Sequence, residues 1–168
     1  ASGFMEPLES TSIHLVQAAI SKLIDLFPQK DFRPEVINKF NTQLSFEYQS
    51  IRDFLILHYK ATQRNDSAFW DYCRTMDVPQ NLLDKIALYK EGGRVYRDSE
   101  ESFSGISWLA VLRGQGIITD RYNPVADVYD EERLLARIEN IYEVTQRSVE
   151  ACPTHEEYID KYCRARPN

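Results

Sequence analysis

The sequence predicts a mainly α-helical protein, and three observations carry that reading. Apolar residues recur at three- and four-residue spacing along nearly the whole chain, which is the period of a helix burying one face. Only 6 Gly and 7 Pro occur in 168 residues, too few for the many tight turns of a β-sandwich. With 43% hydrophobic and 27% charged residues, the composition is that of a globular chain and not of a disordered tail.

The elements follow in order. After Pro7, the hydroxyls of Ser10, Thr11 and Ser12 are placed to cap a helix start. Ile13, Val16, Ile20, Leu23 and Phe27 then form one stripe, ended by Pro28. Pro34 suits the first position of a second helix, and Glu35 suits its first turn. Its stripe (Ile37, Phe40, Leu44, Tyr48, Ile51, Leu55, His58) continues to Thr62, roughly 30 residues or about 45 Å of helix. Gln63-Arg64-Asn65-Asp66 ends it. Ser67 can cap a short aromatic helix running from Phe69 to Cys73, and Pro79 to Glu91 reads as another, closed by Gly92-Gly93. Arg94 to Asp98 alternates and reads as a short extended stretch. Ile106 to Leu112 is apolar, Gly114-Gln115-Gly116 makes a turn, and Tyr122-Asn123-Pro124 makes a loop. Asp130 can cap a helix carrying Leu134, Leu135, Ile138, Ile141 and Val144. Thr154-His155-Glu156-Glu157 has capping-box spacing and opens a C-terminal helix, whose Lys161, Arg164 and Arg166 suit its negative end. No internal repeat divides the chain, so residues 1–168 read as a single helical region.

Charge and composition exclude several classes of function. A net charge of −6 and a pI near 5.1 argue against nucleic acid or an anionic membrane surface as a partner. The longest apolar runs, Phe54 to Leu57 and Trp108 to Leu112, are far too short to span a bilayer. Cys73, Cys152 and Cys163 are an odd number at spacings that suggest no disulfide framework; with no leader-like segment, they read as a reduced, cytoplasmic protein. All three fall in helical patterns beside aromatics and read as small buried hydrophobes. His14, His58 and His155 are too scattered for a zinc set. Gly114-x-Gly116 lacks the third glycine and the preceding strand of a nucleotide loop. Ala1 is not an initiator methionine, and a structured-looking segment begins almost at once, so the chain reads as cut from a longer one.

The segment with chemical character is Gly3-Phe4-Met5-Glu6-Pro7-Leu8-Glu9-Ser10-Thr11-Ser12. It is an irregular approach with two carboxylates, followed by a helix start rich in free amides. The N–H groups around Thr11 and Ser12 have no intrahelical acceptors, and the helix dipole makes this end positive, which suits an anion. An ordinary N-cap with an acidic first turn accounts for the same residues.

These ten residues closely resemble the corresponding segment of the flavin-dependent tryptophan halogenases. Two further blocks carry the resemblance: Ile51-Arg52-Asp53-Phe54-Leu55-Ile56-Leu57-His58-Tyr59 through Phe69-Trp70, and Ser107-Trp108-Leu109-Ala110-Val111-Leu112 with Gly114-Gln115-Gly116. All three stand in family order and spacing. The family's dinucleotide fingerprint, its Trp-x-Trp-x-Ile-Pro segment and its catalytic lysine are not in this sequence, and the resemblance puts them upstream. It therefore implies the helical C-terminal, substrate-binding portion of a larger α/β, flavin monooxygenase-like enzyme, inactive as an isolated fragment.

The resemblance also implies a chemistry. Hypohalous acid, made from reduced FAD, oxygen and chloride or bromide, halogenates an indole or related electron-rich aromatic, with a separate flavin reductase supplying the reduced flavin. Glu9 matches the family's catalytic glutamate. Thr11 and Ser12 match the halide-binding amides, with Ser12 standing where several relatives have glycine. Phe69 and Trp70 match aromatics that pack on the substrate ring; as sequence alone, they read equally well as core aromatics of a short helix. Tyr59 matches one of two adjacent tyrosines near the substrate carboxylate, and His58 replaces the other while lying on the apolar stripe as a core histidine would. Asn65 stands where tryptophan-specific relatives carry a glutamate for the substrate ammonium, which points away from free tryptophan. A reading from another class is an all-α protein-interaction module without catalysis, its long second helix presenting aromatics to a partner. Such a module has no need of Glu-Pro-Leu-Glu-Ser-Thr ahead of a helix, whereas a halide site does.

Overall fold

Every regular element among the described residues is helical, and within the first of two units the longest of them packs against four others. The structure, a computed structural model, describes residues 4–97 and 101–165; Gly3, Asp98 and Arg166 of the sequence reading lie outside them. The chain groups into two compact units, Ala1–Asn123 and Pro124–Asn168, where the sequence was read as one helical region.

In the first unit a 3-10 turn, Leu8–Ser10, leads into α1 (Ser12–Asp25). α2 (Pro34–Lys60) carries Pro34 in its first turn, as its fixed φ favours. It packs against α1, α3 (Ala68–Thr75), α4 (Gln80–Gly92) and α5 (Gly105–Gly114). The residues that bury it, Glu47, Ile51, Phe54 and Leu55, recur at helical spacing. Ile51 and Leu55 meet Leu15 of α1. Phe54 and Leu57 meet Leu82 and Tyr89 of α4 and Trp108 and Leu112 of α5. Side chains buried this fully are worth roughly 1.5–3 kcal/mol each.

Several local expectations are corrected. Thr11 holds the N-cap position of α1, but its backbone is already helical (φ −79°, ψ −8°), so its hydroxyl makes no cap bond. Ser67 precedes α3 in extended geometry, and its hydroxyl makes no cap bond either. α2 ends at Lys60, not Thr62. Arg94 to Arg97 form no regular element, because no neighbouring strand offers a ladder; instead the Tyr96 carbonyl accepts from Lys85 at 2.9 Å. Cys73 is buried, but Cys152 and Cys163 are exposed: Cys152 lies just past the end of α6, and Cys163 ends a helical turn with no buried residue. Gly93 closes α4 in the left-handed conformation (φ +70°) as a glycine there should.

The second unit holds a 3-10 turn (Pro124–Val128), α6 (Glu131–Glu150) and α7 (His155–Tyr158), the last running into one π-helical turn, Ile159–Cys163. Asp130 caps α6 by accepting from the Arg133 N–H, and Thr154 and Glu157 form the expected capping box. Arg164 pairs with Asp160. Among the described residues no helix is long and apolar enough to cross a membrane.

A buried carboxylate ties α1 to α2. Glu47 Oε1 accepts from His14 Nε2 at 2.8 Å and from Ser102 Oγ at 3.0 Å, and Lys22 Nζ lies 3.1 Å from Oε2. Burial pushes the Glu47 carboxyl up, but the bonds from Lys22, His14 and Ser102 outweigh it and hold the group below its ordinary value near 4.5. A depressed carboxyl contributes stability above its unfolded pKa and loses it as pH falls through the folded one. Glu47→Gln should therefore cost about 1–3 kcal/mol at neutral pH, because Lys22 and His14 are exposed enough to rehydrate. Below the ordinary carboxylate range the difference from wild type should shrink. Urea-unfolding midpoints across an acid series check both; parallel curves for the two proteins would rule the clamp out.

Candidate functional site

The approach to α1 is where the chain departs from easy geometry. Glu9 (φ +63°) and Ser10 (φ +50°) are consecutive non-glycine residues in the left-handed region. Such residues cost on the order of 1–3 kcal/mol each and persist only where their surroundings hold them. Here the hold comes from both sides. Met5 packs on the Leu15–Ile51–Leu55 cluster, and the Tyr59 hydroxyl donates to Glu6 Oε2 at 2.9 Å. The kink turns the Glu9 side chain to α2, where Oε1 lies 3.1 Å from His58 Nε2.

Just beyond, Ser12, Ile13 and His14 open α1, and their N–H groups have no acceptor within the helix. The Thr11 hydroxyl is buried without a hydrogen-bond partner. A buried donor left unmatched beside free amides, at the positive end of a helix dipole, fits a halide. The same residues do not fit a dinucleotide: the sequence has no glycine-rich phosphate loop, and the described residues contain no strand to carry one. Among the described residues no group of His, Cys, Asp and Glu is arranged to hold a metal.

His58 and Tyr59 form part of the wall of a cavity of about 700 Å³ that opens beside this segment. Leu8, Arg64 and Trp70 complete one side, and Gly114 and Gln115 the other. Trp70 stacks on Tyr59 (centroids 6.2 Å apart, planes at 18°), and the Arg64 guanidinium lies 4.6 Å from its ring centre. Gln63 donates to the Gln115 carbonyl at 3.1 Å, which fixes the rim. Gly116, at φ +79°, leaves room for that side chain where a Cβ would strike it. The bond to Glu6, then burial and the Glu6 charge, raise the Tyr59 phenol above its ordinary value, so it remains a donor.

The structure thus gathers Glu9, Thr11, Ser12, His58, Tyr59 and Trp70 around one region of the first unit. Phe69 stands beside them, edge-on to Trp70 at 4.9 Å, but is 56% exposed and outside the cavity wall. Neither it nor Trp70 is a core aromatic. Asn65 is exposed and also outside the wall, while its neighbour Arg64, also exposed, lies over the Trp70 ring at the cavity wall and is paired with Asp66. Glu6 and Arg64 were not singled out from sequence. Glu6 was visible as the second carboxylate of the approach segment; Arg64 looked like part of a polar helix end.

Comparison with known proteins adds independent findings. The family model described as tryptophan halogenase matches residues 1–131. The chain is 32% identical over 165 residues to the tryptophan 6-halogenase SttH of Streptomyces toxytricini, which covers 95% of the chain and 31% of that relative. Among solved structures it is similar to BrvH, a flavin-dependent halogenase from Brevundimonas sp. BAL3, with 39% identity and a TM-score of 0.90 over 95% of the chain and 32% of BrvH. It is equally similar to Xcc4156, a flavin-dependent halogenase from Xanthomonas campestris, with 40% identity and a TM-score of 0.91 over 99% of the chain and 34% of Xcc4156. The chain spans about a third of the length of these relatives.

Proposed function

The chain belongs to the tryptophan halogenase family, and from that premise we propose that it is part of an FAD-dependent enzyme that halogenates an indole or related electron-rich aromatic. The observation that carries this reading is the placement of Glu9: a kinked backbone just before the amide-rich start of α1 brings its carboxylate 3.1 Å from His58, which lines the aromatic cavity. Bound FAD, reduced by a separate reductase, supplies the oxidising chemistry that turns chloride or bromide into hypohalous acid. The sequence carries no glycine-rich phosphate loop and the described residues contain no strand to support one, so the isolated fragment is inactive in this reading.

Each residue then has a task. The Ser12 amide and the Thr11 backbone and hydroxyl hold the halide. Trp70 and Tyr59 offer ring faces to a flat aromatic, with Phe69 at the edge. Glu9 accepts the proton that the ring loses as it regains aromaticity.

The substrate is an aromatic without a free amino-acid head group. Asn65 supplies no charge for an ammonium. The donors that would meet a carboxylate are already engaged: the Tyr59 hydroxyl with Glu6, and both His58 nitrogens with the Phe54 carbonyl and Glu9. The test is competition in the full-length enzyme among indole, a tryptophan-containing peptide and free tryptophan, with products quantified by mass spectrometry. Free tryptophan should be disfavoured, and Asn65→Glu should recover roughly 10–150-fold, the worth of one charge-assisted contact. A wild-type preference of about tenfold or more for free tryptophan would mean another residue holds the ammonium.

A further inference from the structure

We propose that Gln63 is a specificity-determining residue: its bond to the Gln115 backbone narrows the mouth of the aromatic cavity and limits the size of the ring system admitted. The proposal rests on the reading of that cavity as the substrate site.

Two independent observations meet at this bond. The first is the bond itself. Gln63 Nε2 donates to the Gln115 carbonyl at 3.1 Å, across 52 residues of sequence, and the contact is exposed. Gln63 follows the end of α2 on one side of the cavity, and Gln115 follows α5 on the other. Among the described residues no other hydrogen bond joins these two sides. A cavity of about 700 Å³ has room for molecules well beyond indole. Its volume therefore does not set a size limit, and the exposed bond at its edge does.

The second observation is the residue after Gln115. Gly116 sits at φ +79°, where a side chain is strained, and a Cβ there would collide with Gln63 Nε2. A glycine past a helix end commonly takes this conformation. That habit explains the backbone angle but not the space, which the Gln63 amide fills. The peptide plane between the two residues turns with the same φ, which aims the Gln115 carbonyl at its donor. Glycine at 116 thus serves the latch twice, by presenting the acceptor and by leaving room for the donor.

The rest of this end of α2 is committed elsewhere. The Arg64 guanidinium pairs with Asp66 and lies over Trp70, and the Arg64 N–H donates to Thr62 Oγ1 at 3.3 Å. Gln63 is the residue that reaches across. Its amide is neutral, so the mouth selects by size and not by charge.

The test uses the full-length enzyme with indole and with carbazole, its larger flat analogue. Calorimetry gives dissociation constants, and mass spectrometry gives halogenated product. Wild type should bind carbazole about tenfold or more weakly than indole. Gln63→Ala removes the latch, while Gln63→Glu keeps its length but sets a carboxylate against a carbonyl, two acceptors. In both variants the carbazole-to-indole ratio of dissociation constants should fall about tenfold, through tighter carbazole binding. Gly116→Ala should move the ratio the same way by pushing Gln63 aside. Added to Gln63→Ala it should move the ratio no further, because among the described residues Gln63 is the one neighbour that Cβ would meet. A ratio within about twofold of wild type in both Gln63 variants would overturn the proposal. Equal weakening of both ligands would overturn it too, by making Gln63 a general part of the wall. So would equal wild-type affinity for the two. A shifted ratio with no halogenated product from either ligand would uphold the latch and remove the proposed reaction. Halogenation of indole with an unshifted ratio would do the reverse.

Discussion

Replacing Glu9 with glutamine in the full-length enzyme should lower halogenation turnover by roughly 10²–10⁴-fold, the usual contribution of a positioned proton acceptor. Flavin reduction and reoxidation should stay nearly intact, because the change touches neither. The substitution keeps length and hydrogen-bonding reach, and glutamine tolerates φ +63° no better and no worse than glutamate. What it removes is the site that binds a proton. Rates of halogenated product against rates of oxygen consumption separate the two effects. Turnover within about twofold of wild type would reassign Glu9 to a structural role at the start of α1.

The second large effect concerns the packing beneath the site. Phe54 is buried, and its ring meets Phe103 at 3.9 Å, Trp108 at 4.8 Å and His58 at 4.9 Å. Phe54→Ala should cost about 3–5 kcal/mol, since three rings lose a common neighbour and the space cannot collapse without moving α5. Phe54→Leu should cost less than about 1.5 kcal/mol, as it keeps most of the volume. Urea unfolding followed by circular dichroism measures both. An alanine variant within about 1 kcal/mol of wild type would show that this cluster is not what holds α2 to α5.

Much of this was legible from the chain alone. Pro34 at a helix start, Gly93 past a helix end and the Thr154–Glu157 capping box are local devices, and each appears where the spacing put it. The stripe of α1 is corrected: Ile13, Ile20, Leu23 and Phe27 are exposed, and the residue that α1 buries is Leu15. The ten-residue approach to α1 stood out as a candidate site because amides at a helix start and carboxylates before it need no tertiary partner to be noticed. The cysteines were not legible: Cys152 and Cys163 fall in helical patterns in sequence, yet both are exposed. The hydroxyl at Thr11 was a plausible cap until the backbone turned helical one residue early.

By itself the sequence determined where most of the helices lie, some of their ends, and the presence of an acidic segment ahead of a helix start. All of these follow from backbone hydrogen bonds and side-chain spacing within a few residues. The tertiary structure alone decided which groups Glu6, Glu9, His58 and Tyr59 would meet. Tyr59 and Glu6 are 53 residues apart, and His14 and Glu47 are 33 apart. Such pairings depend on how α1 is seated against α2 and on two left-handed residues that swing Glu9 towards His58. No local propensity specifies that seating; it comes from packing Leu15 between Ile51 and Leu55 while satisfying the buried carboxylate of Glu47.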